Sequence, residues 1–126
     1  MTATPGKHVP PIAGGLLQKA NDLLGAVPPT NGYVLELGTS TDTGNIKAGY
    51  RIYISGDTLL VDDLKEIPQR YPDVDLMLVH LGGTTIPGPK APLLMVTMDA
   101  EQGVKLVQLI KPDVTVPIHY DDYGAL

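Results

Sequence analysis

Four polar side chains able to bind a metal ion or move a proton lie where predicted strands end or loops begin. Asp57 follows the segment YRIYIS, His80 stands near the end of DLMLV, and His119 closes VTVPI. A fourth, His8, lies in an opening loop rich in Pro and Gly. In layered α/β proteins, reactive groups collect where strands end and loops begin. Imidazole and carboxylate groups at such places are candidate ligands for a divalent metal ion.

Each of these residues also has an ordinary structural interpretation. An Asp directly after Gly, as at Asp57, is typical of a turn or cap. A His at a strand end, such as His119, is commonly a satisfied polar group. His80 in its apolar run fits a buried neutral imidazole, and His8 fits a surface residue. Because the four residues are far apart in sequence, spacing alone leaves both interpretations open.

The composition limits the chemistry and the partners. The 126 residues include no Cys, which excludes disulfides, thiolate metal sites and thiol nucleophiles. Nine Lys and Arg against 14 Asp and Glu give a net charge of −5, which argues against binding to nucleic acid or anionic membranes. No segment has membrane-spanning length or the pattern of a signal peptide, so we expect no membrane insertion and a cytoplasmic location.

Alternating strand and helix patterns predict a single α/β domain over residues 1–126. Strands are predicted at YVLEL, YRIYIS, VDLMLVHLGG, LLMVTM and DVTVPIH, and helices at GLLQKANDLLGA, LLVDDLKEIPQRYP and DAEQGVKLVQLIKP. The polar segment GTSTDTGNIKAG is predicted as a connector with hairpin character. Pro68 is expected to end or kink the second helix. In the last helix, Asp99 is expected as N-cap with Gln102 completing a capping box.

Three segments, in this order, carry a family resemblance: TATPGKH, YISGDT and VPIHYDDY. They resemble the C-terminal portion of metallo-β-lactamase-fold hydrolases, in the branch similar to ascorbate-6-phosphate lactonase and N-acyl-phosphatidylethanolamine phospholipase D. DVDLMLVHLGG and VTMDAEQGVKLVQLIKPDV are similar to that family's linking strand and helix, so nearly the whole chain is covered. The resemblance implies an α/β (α+β) fold. This would be half of an αββα four-layer sandwich, with a mixed sheet flanked by helices on one side.

The same resemblance implies the site and the reaction. His8 would bind a first metal ion, His119 a second, and Asp57 would bridge the two. The cofactor would be one or two divalent ions, zinc first, with manganese or iron as alternatives. The reaction would be hydrolysis by a metal-bound hydroxide. The substrate class stays open among small-molecule esters, lactones, phosphodiesters and amides. His80 has no role by resemblance and is a candidate for facing the substrate.

One family feature is absent from the sequence. The first metal-binding motif, His-x-His-x-Asp-His, does not occur, so the chain resembles the second half of the fold alone. An apolar sheet face that is normally covered would then be an association surface. We therefore expect a homo-oligomer, most simply a two-fold dimer, or pairing with a complementary half-domain. The alternative functions are a non-catalytic truncated half and a self-associating structural module.

Overall fold

The main element of the fold is a five-stranded mixed sheet. The computed structural model describes residues 1–8, 30–83, 85–87 and 93–120, and the helix predicted over residues 15–26 lies outside them. Strand order in the sheet is β1-β2-β3-β4-β7. These strands are β1 Thr2–Thr4, β2 Gly32–Ser40, β3 Ile46–Ile54, β4 Leu76–His80 and β7 Val114–Ile118; β5 Thr85–Pro87 and β6 Leu93–Met95 pair separately.

The strand directions bring four strand ends to one edge of the sheet. β1 pairs with β2 and β2 with β3 in antiparallel fashion, whereas β3 with β4 and β4 with β7 are parallel. Consequently β1, β3, β4 and β7 all run in the same direction, and only β2 runs against them. Their carboxyl ends therefore lie along a common edge, where layered α/β proteins place their ligands.

One face of the sheet carries the hydrophobic core. Val34, Tyr53 and Met77 are aligned across β2, β3 and β4, and all three are fully or almost fully buried. They pack with buried side chains of the 3₁₀ turn Asp62–Lys65 and of helices α1 Glu66–Arg70 and α2 Ala100–Ile110; these are Leu64, Ile67, Leu106 and Ile110. Burial of these side chains is the main stabilisation of the domain.

The opposite face, here called the open sheet face, is apolar as well. Side chains alternate along a strand, and the register aligns Tyr33 with Ile54 and Leu78, and Ile52 with Leu76 and Val114. The face consists of Tyr33, Leu35, Leu37, Tyr50, Ile52, Ile54, Leu76, Leu78, Val114 and Val116. Leu37 is 54% exposed and Val114 52% exposed. The apolar β4 sequence predicts burial on both faces, and among the described residues the helices cover only one.

The predicted helix at residues 59–72 is shorter and broken. Val61 is extended, and a 3₁₀ turn over Asp62–Lys65 leads into the five-residue α1. The spacing of Leu60, Leu64 and Ile67 predicted one apolar helix face. Leu64 on the turn and Ile67 on the helix are buried, whereas Leu60 is partly buried and precedes both elements, so the helix was predicted too long. Pro68 lies inside α1, which ends two residues later at Arg70; a proline has no N–H to continue the hydrogen-bond ladder.

Helix α2 confirms its predicted N-cap but not the capping box. The Asp99 carboxylate accepts a hydrogen bond from Gln102 N at 2.9 Å. The Gln102 side chain does not complete the box. Its Oε1 instead accepts a hydrogen bond from Leu60 N at 2.9 Å, because that loop N–H has no ladder partner. This bond fastens α2 to the segment after Asp57.

The polar stretch after β2 forms a long hairpin. β2 extends to Ser40 and β3 starts at Ile46, so only residues 41–45 form the connection, with Gly44 at φ 79°. The strand pairing therefore extends into the segment GTSTDTGNIKAG, which the sequence predicted to be a connector. No helix in the described part of the chain has the length and apolarity needed to span a bilayer.

Candidate metal centre

The four predicted site residues lie at the end of, or after, strands that end at the same edge of the sheet. Asp57 comes after β3, His80 is the last residue of β4, and His119 comes directly after β7. His8 follows β1 by a short loop. The prediction that Asp57, His80 and His119 lie at strand ends is thus met, and the strand directions explain why the ends are neighbours. The opening segment that carries His8 was predicted as loop alone, and β1 is a strand that the sequence reasoning missed.

Asp57 and His119 are brought together most closely. His119 Nδ1 lies 3.4 Å from Asp57 Oδ1, an ion-pair distance. The same Oδ1 is buried and accepts no hydrogen bond from the described residues, so the two atoms face each other without hydrogen-bond geometry. Two ligand atoms each about 2.0–2.1 Å from one tetrahedral zinc ion would lie about 3.3–3.4 Å apart. The observed separation therefore suits two ligands of a shared cation.

The backbone at His119 is unusual. Its φ is 61°, in the left-handed region that residues other than glycine rarely adopt. Such a conformation costs on the order of 1–2 kcal/mol and persists only where the surrounding structure enforces it. Strain of this kind clusters at functional sites.

Gly56 lets the chain turn from β3 into Asp57. Its φ is 67°, and a Cβ at this position would collide with the carbonyl oxygen of Asn31. A glycine is required here both for the left-handed backbone and for the close approach. The neighbouring Ser55 and Thr58 are fully buried, so Asp57 projects from a fixed strand end.

The loop carrying His8 is fastened to the loop carrying Asp57. Lys7 N donates to Thr58 Oγ1 at 2.8 Å, and Leu59 N donates to Lys7 O at 2.8 Å. His8 Nδ1 is buried and has no hydrogen-bond partner among the described residues. A buried polar atom without a partner is uncommon, and an absent ligand is one explanation for it.

The described residues do not assemble a complete metal-ligand set. Within residues 1–8, 30–83, 85–87 and 93–120, no three His, Asp or Glu side chains are arranged to hold one metal ion. Asp57 and His119 form a pair, and His8 lies on the adjoining loop. By type, two imidazoles and one carboxylate fit a zinc-like divalent cation. Asp57 Oδ1 and His8 Nδ1 are buried and make no hydrogen bond to the described residues, which is consistent with that chemistry.

His80 borders this pair. Its ring centroid lies 5.8 Å from that of His119, with the planes tilted by 52°. Burial lowers the pKa of His80 below its ordinary value; the Asp57 carboxylate partly offsets this, and His119 lowers it further. The imidazole is therefore neutral near pH 7.

Ser55 is a site residue that the sequence reasoning missed. Its Oγ accepts a hydrogen bond from His80 N at 3.0 Å and lies 3.3 Å from His80 Nδ1. The only signal in the sequence is its place in YISGDT, two residues before Asp57. Its connection to His80 depends on the parallel pairing of β3 and β4, which no local pattern encodes.

A family model described as a β-lactamase superfamily domain matches residues 2–120. The chain therefore belongs to this superfamily, which confirms the predicted resemblance. The α+β fold, a mixed five-stranded sheet with helices, is that expected of half of a metallo-β-lactamase fold.

Similar curated proteins are named metal-dependent hydrolases. A UPF0173 metal-dependent hydrolase of Anaeromyxobacter dehalogenans is 30% identical over 122 residues, covering 90% of this chain and 40% of that protein. One of Thermococcus onnurineus is 33% identical over 95 residues, covering 75% of this chain and 33% of that protein. The chain thus spans well under half the length of these relatives.

Among solved structures, an isothiocyanate hydrolase from Delia radicum gut bacteria has a similar fold. The TM-score is 0.61 with 19% identity, and the match covers 93% of this chain and 39% of that protein. At this identity the likeness concerns the fold alone.

Proposed function

We propose that this chain supplies the metal-binding edge of a metal-dependent hydrolase of the metallo-β-lactamase superfamily. The observation that carries the proposal is the buried Asp57 Oδ1, which accepts no hydrogen bond from the described residues and lies 3.4 Å from His119 Nδ1. Superfamily membership and the names of the curated relatives support the same reaction class.

Each residue has a distinct role in this proposal. Asp57 contributes negative charge and an oxygen ligand, and His119 and His8 contribute imidazole nitrogens. Zinc is the first choice, with manganese or iron as alternatives, as one ion or two. A divalent cation held by these residues would supply an activated water for hydrolysis. Gly56 and the buried Ser55 hold the carboxylate at the sheet edge.

The test is zinc affinity measured by titration calorimetry on the metal-stripped chain. Asp57→Asn should weaken binding on the order of a hundredfold, because even outer residues of metal sites contribute ten- to hundredfold. Asp62→Asn is the matched control, since its exposed carboxylate bonds only Lys65 among the described residues. Equal affinities for wild type and Asp57→Asn would refute the proposed site.

The proposal includes a second chain that covers the open sheet face. An apolar surface formed by ten aligned side chains is far larger than the isolated apolar residues normal on protein surfaces. A second copy of this chain in a two-fold dimer is the simplest cover, because a two-fold interface uses the same patch twice. A complementary half-domain would cover the same surface.

Sedimentation velocity at micromolar concentration tests this partner. We expect a dimer for wild type and a monomer for Val114→Lys, which places a charge on the open sheet face. Val104→Lys is the control: Val104 is 57% exposed on α2, away from that face, and its substitution should leave the dimer intact. The proposed partner would be contradicted if the wild-type chain sediments as a monomer, both alone and after mixing with the amino-terminal half of a hydrolase of this superfamily.

The second candidate function is a self-associating structural module without catalysis. The absence of a three-residue ligand set in the described residues favours it. It predicts that the dimer forms and that zinc affinity is weak and unaffected by Asp57→Asn.

A further inference from the structure

The contacts of Ser55 bear on which nitrogen of His80 carries the proton. Ser55 Oγ lies 2.9 Å from Gly56 O, to which it donates, and it accepts from His80 N at 3.0 Å. A hydroxyl has one hydrogen and two acceptor positions. The contact with Gly56 O is shorter than the 3.3 Å contact with His80 Nδ1, so the hydroxyl hydrogen is assigned to Gly56 O and His80 Nδ1–H is assigned as the donor to Oγ. The neutral ring is then the Nδ1–H tautomer.

The consequence is an unshared electron pair on His80 Nε2. Among the described residues this nitrogen makes no hydrogen bond, and the ring is partly buried beside the Asp57–His119 pair. The His80 ring lies 5.8 Å from the His119 ring, measured between centroids, so Nε2 is an acceptor on a ring that borders the candidate centre.

We propose that His80 Nε2 accepts a hydrogen bond from the substrate, that Ser55 is its positioning residue, and that the site selects substrates bearing an N–H or O–H next to the bond cleaved. This inference rests on the proposed hydrolase function. It assigns the residue pair Ser55–His80 to substrate choice and leaves metal binding to Asp57, His119 and His8.

The selection follows from desolvation. A substrate that covers the sheet edge removes His80 Nε2 from solvent. A substrate with an N–H or O–H donor gives Nε2 a hydrogen bond in place of the one to solvent. A substrate without a donor leaves Nε2 desolvated and without a hydrogen bond, which costs binding free energy. Sites that bind a substrate donor reject analogues lacking it far more strongly than apolar pockets reject a missing methylene.

The first experiment reads the tautomer by two-bond ¹H–¹⁵N correlation of the histidines in the metal-free chain at a pH where His80 is neutral. Wild type should show a protonated Nδ1 and a bare Nε2, and Ser55→Ala should lose this preference while keeping its fold by circular dichroism. A wild-type ring protonated on Nε2 would overturn the inference. The reading does not depend on metal binding or hydrolysis.

The second experiment compares two metal-chelating probes on the zinc-loaded chain. Acetohydroxamic acid retains an N–H when its oxygens bind the metal, and its N-methyl analogue does not. Wild type should prefer the N–H probe by about tenfold, the value of one ordinary hydrogen bond. His80→Asn should lose the preference, because its amide can donate to Ser55 but places no acceptor where Nε2 was. His80→Gln, whose amide oxygen reaches that place, should restore part of it.

The outcomes distinguish a failure of this inference from a failure of the proposed hydrolase function. Equal affinity of wild type for the two probes overturns the role of His80 in selection. A tenfold loss of zinc affinity in His80→Asn overturns it as well, because the residue would then be a ligand. If wild type binds no zinc, the proposed function fails and the selection role fails with it, whereas the tautomer result still decides the role of Ser55.

Discussion

Two aspartates at opposite ends of the sheet differ in what surrounds them. Asp75 precedes β4 at its amino end, and its Oδ2 accepts a hydrogen bond from Arg51 N at 2.6 Å. The Arg51 guanidinium in turn bonds Glu36 Oε1 and the Pro72 carbonyl. Asp57 follows β3 at the carboxyl end, and its Oδ1 is buried with no hydrogen-bond donor among the described residues.

This difference separates a carboxylate that is hydrogen-bonded within the fold from one with an acceptor atom that the described residues do not use. The hydrogen bonds of Asp75 are used within the fold, so its removal affects folding. Asp57 keeps a lone pair that the described part of the fold does not use, at the edge where His119 and His80 also lie. A buried acceptor left unpaired costs stability, which is expected where function rather than stability determines the residue.

The largest effect on stability is expected at the carboxyl edge itself, in Gly56→Ala. A Cβ there meets the Asn31 carbonyl and the left-handed backbone, so we expect a loss of about 3 kcal/mol in unfolding free energy together with weaker zinc binding. Gly49→Ala is the control, because only Leu37 O at 3.7 Å is near a Cβ at that position. Urea denaturation measures both. Equal stabilities of the two variants would contradict the role given to Gly56.

A smaller loss is expected from Asp75→Ala at the amino end. Leaving Arg51 N without its acceptor should cost about 1–3 kcal/mol, while zinc affinity stays within twofold of wild type. Asp62→Ala, an exposed carboxylate, should change stability by less than about 0.5 kcal/mol. Zinc affinity that falls in Asp75→Ala as far as in Asp57→Asn would break the distinction between the two ends.

The smallest effect concerns pH. Because the folded-state pKa of His80 lies below 6.5, the unfolded chain takes up this proton first as the pH falls. The stability that the neutral His80 ring gives the folded chain is thus complete above the pKa of His80 in the unfolded chain. It is lost as the pH falls from about 7 toward the lower pKa of His80 in the folded chain. In metal-free protein, the stability of wild type relative to His80→Gln should decrease over this interval. A difference that stays constant or increases would show that the pKa of His80 is not lowered.

The sequence predicted some features well because their signals are local. The N-cap Asp99 and Pro112 enclose α2, and the strand ends at Asp57, His80 and His119 were correctly located. The assignment of metal ligands came from family resemblance and stays a prediction. The helix over residues 59–72 was wrong in length because the spacing of Leu64 and Ile67 suits a 3₁₀ turn followed by a short helix equally well.

Other features depend on pairing across the sheet and have no local signal. The Ser55–His80 bonds arise from the parallel register of β3 and β4. Gln102 Oε1 accepts a hydrogen bond from Leu60 N instead of completing the capping box. This bond depends on the position of the folded loop that carries Leu60, and the local sequence does not encode that position. The 3.4 Å approach of His119 to Asp57 likewise depends on the β4–β7 pairing and on a left-handed residue at the end of β7.

The most direct test of the central claim is zinc X-ray absorption on the chain loaded with one equivalent of metal. The account predicts nitrogen and oxygen neighbours at about 2.0–2.1 Å with the outer scattering of imidazole rings. That imidazole scattering should decrease in His119→Ala. A spectrum without imidazole scattering, or one identical in wild type and His119→Ala, would contradict the claim that Asp57 and His119 face each other to hold a cation.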